Sequence, residues 1–379
     1  MDKMNVLIVV TTISLFISLF LAFFLLTVKT KHKTSNALFA VFLIIMAIDV
    51  SEYLFNLTVD GPSNLGMLRG MFAFLQIPVF YLYVLSVCYS DFKLQPKHLL
   101  HLLPFLVANI ILIPHFYGVD GASKISFIEN RQHMIELQFN HILIHIQLMA
   151  YIVAVFMILR KAKKLYLENY AGASVNSYHW LFQFTVLLTI LYLITLLKNI
   201  FKFSDYPYIS EWIKIGLLVF QLFIVCWYLF KALNNPGLFR NIDSKLKLTS
   251  DIILEQKNND QLAVTNEEYN EELVRLKKYM AEEKPFLNPS LTIQDISNDM
   301  DIPTRELSVL INHQLGQHFY DFVNTYRIEN AMEILKDVTK TKVTVLEILY
   351  EVGFNSKSSF NTAFKKHTGN TPTAYRKYL

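Results

Sequence analysis

From Phe354 to Leu379 the chain carries Lys357, Lys365, Lys366, Arg376 and Lys377 and not one Asp or Glu. Five unopposed cations on one short stretch have the chemistry of phosphate contact, because each Lys or Arg that meets a phosphate releases condensed counterions. A second set of ionisable residues stands in surroundings nearly free of charge: Asp49 and Glu52 three apart, Arg69, and His141 and His145 four apart. Such spacings place both members of a pair on one helix face. Charges within apolar segments are costly and are kept as pairs or facing cavities, so Asp49 or Glu52 with Arg69 reads as an ion pair fixing helix packing or as a ligand contact. The histidine spacing suits a metal, but no third ligand lies near, which favours interfacial histidines. Lys198, Glu211 and Lys214 approach the same surface and complete a polar mouth. Cys88 and Cys226 are too few for a disulfide framework or a thiolate metal site and read as buried small hydrophobes. The chain has no H-E-x-x-H, no G-x-S-x-G and no P-loop, so no catalytic residue, cofactor or metal is assigned and the expectation is not an enzyme.

The elements that must position these residues fall into two physical classes. Of 379 residues 53% are hydrophobic and 17% charged, against about 25% charged in an ordinary soluble chain. Residues 1–230 hold 16 Lys/Arg and 11 Asp/Glu, whereas residues 231–379 hold 19 and 20, so the shorter part carries most of the charge. A single soluble domain, a secreted disulfide scaffold and a disordered polymer are excluded. The net charge of +4 is too small to name a partner.

A bilayer core of about 30 Å needs about 20 apolar residues in helix. Seven runs qualify: Met4–Val28, Ala37–Leu57, Met67–Cys88, Lys97–Ile113, Phe139–Leu159, Tyr178–Leu197 and Trp212–Phe230. The first is too long for a signal segment and ends in Lys29, Lys31 and Lys33, so it reads as a retained helix. Gln76, Pro78 and Pro104 mark expected kinks. The loops after helices 1, 3 and 5 hold nine Lys/Arg and those on the other side five. This bias places the N-terminus outside, and the residues after Phe230 in the cytoplasm beneath an inner membrane.

The polar tail repeats itself. Leu291–Ile296 matches Val343–Ile348 at an offset of 52, and Leu315-Gly316 matches Thr368-Gly369 at 53. Each copy reads as helix, tight turn, helix, with apolar spacings of three and four at Ile293, Ile296, Leu307, Leu310 and Ile311, and at Val345, Ile348, Leu349, Phe360, Ala363 and Phe364. Asp301 and Gly353 hold equivalent turn positions that call for positive φ. Asn355 and Ser356 suit a cap and Pro303 a first turn. Between the copies, Phe319–Leu335 reads as one helix of about 25 Å with Phe319, Phe322, Val323, Tyr326, Ala331 and Leu335 inward. That spacer sets the two second helices about one DNA turn, ~34 Å, apart. Residues 285–379 hold ten basic and ten acidic side chains, so the basic character is local to the end of the chain.

Leu291–Leu379 resembles the C-terminal domain of AraC/XylS-type bacterial transcription regulators. The likeness runs through Leu291-Thr292-Ile293-x-Asp295-Ile296, Leu307-Ser308-x-Leu310, Gly316-x-x-Phe319, Tyr326-Arg327-Ile328, Ile348-x-x-x-Val352-Gly353-Phe354, Ser356-x-Ser358-x-Phe360, Phe364-Lys365-Lys366-x-Thr368-Gly369 and Thr371-Pro372-x-x-Tyr375-Arg376. The resemblance implies that the second helix of each unit enters the DNA major groove. By it the first reader presents Arg305, Ser308, Val309 and Asn312 and the second Lys357, Ser358, Asn361 and Thr362, with Lys365, Lys366 and Arg376 on phosphates. In that frame Arg305 suits a guanine and Asn312 an adenine. Pro303 departs from the family's capping Ser.

Asn234-Asn235-Pro236-Gly237 reads as a turn, Asp243–Ala263 as a polar flexible stretch, and Glu267–Glu282 as an amphipathic helix that docks on the tail domain or pairs with a second chain. The expected architecture is all-α: a seven-transmembrane helix bundle (1–233), a linker with an amphipathic helix (234–284), and a domain of two helix-turn-helix units joined by a long helix (285–379). Expected partners are double-stranded promoter DNA and the lipid bilayer, with RNA polymerase, a small ligand and a second copy of the chain as further candidates. The expected role is a membrane-embedded one-component regulator whose membrane part senses. A transporter or membrane enzyme with a regulatory tail, or a passive tether, are the alternatives.

Overall fold

A computed structural model describes residues 3–29, 33–172, 175–202, 204, 206–234, 248–249, 266–340 and 342–377. The turn expected at Asn235–Gly237 and nearly all of Asp243–Ala263 lie outside them. The chain divides into two compact units: Met1–Leu159 with Trp180–Asn241, and Arg160–His179 with Ile242–Leu379. Among the described residues every regular element is helical, beside one isolated antiparallel bridge between Tyr170 and Thr292.

The first unit contains α1 (Lys3–Thr27), α2 (Lys33–Val50), α3 (Glu52–Thr58), α4 (Asn64–Met71), α5 (Ala73–Cys88), α6 (Leu103–Leu112), α7 (Gly121–Glu129), most of α8 (Ile135–Asn169) and α9 (Val175–Lys202), and α10 (Pro207–Asn234). Among the described residues, seven helical stretches are long and apolar enough to cross a membrane, in the order the hydropathy predicts. The second expected helix breaks at Ser51 and the third at Phe72, and the fourth begins as a 3-10 turn at Pro96–Leu102 before α6. Pro104 sits in the first turn of α6, where a missing N–H costs nothing. Phe39, Phe80, Tyr83, Phe184 and Tyr228 stack in its core, with Phe39 and Tyr228 ring centroids 4.0 Å apart. The outward residues Phe16, Ile142, Ile146, Met149 and Leu193 are large and apolar, the surface hydrocarbon chains require. Cys88 is buried as expected, while Cys226 is exposed on the outer side of α10.

At 35 residues α8 is about 52 Å long, well over the hydrocarbon thickness. Its last turns, with Arg160, Lys161, Lys163 and Lys164, belong to the second unit. That unit otherwise holds α11 (Asn266–Glu282), α12 (Ile293–Met300), α13 (Thr304–Val309), α14 (Phe319–Lys336), α15 (Val345–Glu351), α16 (Lys357–Thr368) and α17 (Pro372–Lys377). Leu276 and Met280 of α11 are buried with Phe286, Ile296 and Leu310, and Leu273 and Tyr279 pack against them, whereas Val274 is exposed. The amphipathic helix therefore docks on the tail domain. Phe319, Phe322 and Val323 in the first half of α14 fill the same core, and Ile328, Ala331 and Leu335 in its second half fill another with Ile348, Phe360 and Phe364. One helix is thus the shared wall of two small cores.

Candidate nucleic-acid interface

The two helix-turn-helix units are built by the same local chemistry. Thr292 Oγ1 accepts from Asp295 N while the Asp295 carboxylate accepts from Thr292 N, and Thr344 with Glu347 repeats this capping box at α15. Thr-x-x-Asp/Glu is the sequence signature of such a cap. Asp301 at φ +57° and Gly353 at φ +90° make the two turns, as their places in the repeat required. A Cβ on Gly353 would stand 2.5 Å from Phe286 O and 2.8 Å from Leu287 O, so only glycine fits there. Pro303 stands at the cap itself, and α13 starts at Thr304, whose hydroxyl donates to Gln294 Oε1. Ser356 caps α16 by accepting from Ser359 N.

The readers differ in what surrounds them. On α16, Lys357, Ser358, Thr362 and Lys365 are exposed and Asn361 is half-buried. Lys366 is exposed too, but its ammonium lies 2.7 Å from Asp321 on α14. Arg376 is half-buried, and one of its guanidinium nitrogens is enclosed without a hydrogen-bond partner among the described residues.

On the first reader only Arg305 is exposed; Ser308 and Val309 are each 4% exposed. Ser308 Oγ is 2.9 Å from Thr249 Oγ1. Thr249 donates through its backbone N and its hydroxyl to Glu168 Oε2, at 2.8 and 3.1 Å, and Glu168 is itself buried. Asn312 is fully engaged: its amide donates to Glu168 O and Ser308 O, and its Oδ1 accepts from Phe319 N at the start of α14. The residue expected to meet an adenine therefore closes the junction between α13 and α14 in this arrangement. What meets Ser308 and Asn312 is Thr249 and the end of α8.

That segment is tied down at several points. Ala171 N donates to Leu291 O, and Ala171 joins the first core. Arg327, 1% exposed, donates Nε to Phe286 O, one terminal nitrogen to Ala171 O and the other to Asn288 O, each at 2.7 Å. Burial lowers its guanidinium to about 10, so it stays charged at neutral pH, and its fork matches three carbonyls as a lysine could not. Burial, with Tyr166 of α8 beside it, pushes the Tyr320 phenol up to about 12. Arg327 stands four residues from both Val323 and Ala331, on the inward face of 319–335, but its residue type does not mark it as core. Its signal is only a cation on the apolar face of a helix.

In the first unit the residues singled out for sensing are partly brought together. Asp49, Glu52 and His141 line one cavity with Lys198, Glu211 and Lys214, while Arg69 and His145 do not. The ion pair is Glu52 with Lys214, at 3.2 Å. Arg69 was expected to take that place, but it donates to the backbone carbonyls of Ile48 and Asp49, left open where α2 breaks at Ser51. His145 Nε2 lies 3.1 Å from Asn199 Nδ2. Among the described residues no group of three or more His, Cys, Asp or Glu is placed to hold a metal. Arg131, Lys202, Asn140, Tyr192 and Gln221 join the lining without having been singled out.

Two helix-turn-helix units on one chain, sharing a central helix and exposing a basic second reader, define a tandem helix-turn-helix DNA-binding domain. The helix-turn-helix domain family matches residues 296–378. Over this region the chain is 34% identical across 92 residues to the transcriptional regulatory protein YesN of Bacillus subtilis, covering 24% of each chain. It is 36% identical across 86 residues to an HTH-type transcriptional regulator of Staphylococcus aureus, covering 23% of this chain and 11% of that one. It is 32% identical across 93 residues to the HTH-type regulator YfiF of Bacillus subtilis, covering 24% and 28%. The chain thus spans between about a tenth and 28% of the length of the curated relatives it matches. No solved structure matches. Residues 296–378 are a helix-turn-helix domain of the AraC type, on a chain that also carries seven apolar helices.

Proposed function

We propose that the chain is a membrane-embedded one-component transcription regulator, with its N-terminus outside the inner membrane and its tail domain in the cytoplasm on promoter DNA. Lys357, Ser358, Asn361 and Thr362 read base edges in one major-groove segment, and Lys365 and Arg376 meet phosphates. Arg305, Ser308, Val309 and Asn312 read a second half-site about one DNA turn away, ~34 Å, once residues 160–172 and Thr249 have withdrawn. The observation that carries this reading is the asymmetry of the two readers: Lys357, Ser358 and Thr362 are exposed, while Ser308 and Val309 are buried and Asn312 is bonded to Glu168. The membrane helices sense, through the cavity that holds Asp49, Glu52 and His141. α8 supplies residues both to that cavity and to the cover of the first reader, which gives the signal a continuous path. A ligand moves such an equilibrium only by the difference in its affinity for the covered and uncovered forms.

The test is selection from a random double-stranded DNA library by the full chain in lipid nanodiscs, beside its Glu168→Ala variant. The unaltered chain enriches a single half-site, and Glu168→Ala enriches two, about ten base pairs apart. Paired half-sites selected by both would remove the covered state. Enrichment of no sequence by either would remove DNA reading altogether.

A further inference from the structure

The first unit holds a partly open cavity of about 620 Å³, within the range of small-molecule sites. Its charged residues come from corresponding ends of the helices: Asp49 at the end of α2, Glu52 at the start of α3, His141 in the early turns of α8, Lys198 and Lys202 at the end of α9, and Lys214 near the start of α10. Because successive spans alternate in direction, these termini share one end of the bundle, opposite to the end at which α10 leaves it. Asp49 is exposed although it sits deep among helices, and the space it faces is this cavity.

The lining has a gradient. Lys198 and Lys202 are one turn apart on α9 and share a face. Two turns deeper on the same helix, about 10 Å, come Leu191 and Tyr192; the equivalent step from Lys214 on α10 reaches Gln221, and from His141 on α8 reaches Leu148. Charge therefore gives way to apolar walls set with a few uncharged polar groups. Asn140, Tyr192 and Gln221 are each more than nine-tenths buried, and each keeps a polar atom with no hydrogen-bond partner among the described residues. Helix-to-helix packing alone leaves such atoms at a cost, most of all in a segment away from water.

At the charged end cations prevail. Arg131, Lys198, Lys202 and Lys214 line the cavity against Asp49, Glu52 and Glu211, and Glu52 is already engaged by Lys214. A group with an anionic head and an apolar body about 10 Å long matches both ends, whereas a cationic amphiphile meets a surplus of like charge. We propose that this cavity binds a small anionic amphiphile, its carboxylate or phosphate held by Lys198 and Lys202 and its body lying against Leu148, Leu191 and Leu217. This deepens the sensing role proposed above and rests on it for its consequence, not for its chemistry. Such an anion reaches the site either from the aqueous side or from the surrounding lipid.

The experiment is calorimetric titration of the full chain in phosphatidylcholine nanodiscs with decanoate, decanol, decyltrimethylammonium and acetate, with empty nanodiscs subtracted. Decanoate binds at least about tenfold more tightly than decanol, as a hydrogen-bonded charge requires, and acetate and the cation do not bind. Lys198→Gln weakens decanoate by about tenfold and leaves decanol unchanged, while Lys198→Arg, which keeps the charge, retains binding. Decanol and decanoate binding alike, or Lys198→Gln and Lys202→Gln both binding decanoate as the unaltered chain does, would overturn the site. Raising the phosphatidylglycerol content separates the sources: loss of decanoate binding assigns a lipid headgroup, and unchanged binding assigns a soluble anion. DNA selection in the presence of decanoate keeps the two readings apart. Decanoate that binds without changing the selected half-sites preserves the site and removes sensing. Decanoate that fails to bind, beside a Glu168→Ala effect on selection, removes the site and preserves the regulator.

Discussion

The two helix-turn-helix units share caps, turns and core positions, yet one reader faces outward and the other is enclosed. α12 and α15 begin with the same capping box, and both turns use a residue at positive φ. The difference comes from outside the repeat: Glu168, Ala171 and Thr249 lie against the first helix-turn-helix, and the second has no counterpart to them among the described residues. Equal local folds do not make equal surfaces. Burial of a polar face such as Ser308 and Asn312 is tolerated only because each group finds a partner, and here those partners are the Thr249 hydroxyl and the Glu168 carbonyl at the end of α8.

Replacing Arg327 tests the enclosed side most severely. Arg327→Met leaves the carbonyls of Phe286, Asn288 and Ala171 without their donor, and a loss on the order of 3–5 kcal/mol is expected in thermal unfolding of the tail, with Arg327→Lys failing to restore it. Next in size, Gly353→Ala drives a methyl against Phe286 O and Leu287 O at φ +90° and should cost about 3 kcal/mol. Asp301→Gly at the equivalent place in the first unit should be neutral, or stabilise by up to about 1 kcal/mol, so the pair of unfolding midpoints shows whether the two turns are strained alike.

Uncovering the first reader is the direct way to erase the asymmetry. Glu168→Ala removes both bonds to Thr249, and affinity for DNA with two half-sites should rise about tenfold in nanodiscs. Lys365→Ala on the open reader should lower the slope of log affinity against log salt by about 1, while Ser308→Ala leaves DNA binding by the covered chain unchanged. The smallest effect sharpens the likeness of the units. The backbone N–H and then the hydroxyl of Thr344 hold the Glu347 carboxyl below its ordinary value, so the stabilisation is present above the unfolded-state value and is lost as pH falls through the folded one. Thr344→Ala should lower stability by about 1 kcal/mol at neutral pH through the lost cap and weaken that acid-side dependence without abolishing it, because the backbone N–H remains.

Much of the fold is legible in the sequence. Seven apolar stretches follow from hydropathy because a bilayer fixes both length and composition. The repeat, the turns at Asp301 and Gly353 and the inward face of α14 follow from local periodicity and φ requirements. The second helix of the second helix-turn-helix, Lys357–Thr368, also follows the turn as the repeat predicts. Other residues escaped because their partners are distant in sequence. Lys214 takes Glu52 from 162 positions away, Asn312 meets Glu168 across 144, and Arg327 reaches Ala171 across 156. Breaks in helices carried a weaker signal: that at Ser51 freed carbonyls for Arg69, and no spacing rule foretold it.

From its residue order alone this chain specifies what repeats and what is periodic: helices matched to a lipid slab, and two small helix-turn-helix folds with turns and a basic end. Those features depend on neighbours within a few positions, and such neighbours are written in the chain. Which reader stands open, which carboxylate meets which lysine, and that one guanidinium is entirely enclosed depended on segments brought together across more than a hundred residues. Only three-dimensional packing could decide them, because a buried polar group is stable only where every one of its partners has arrived.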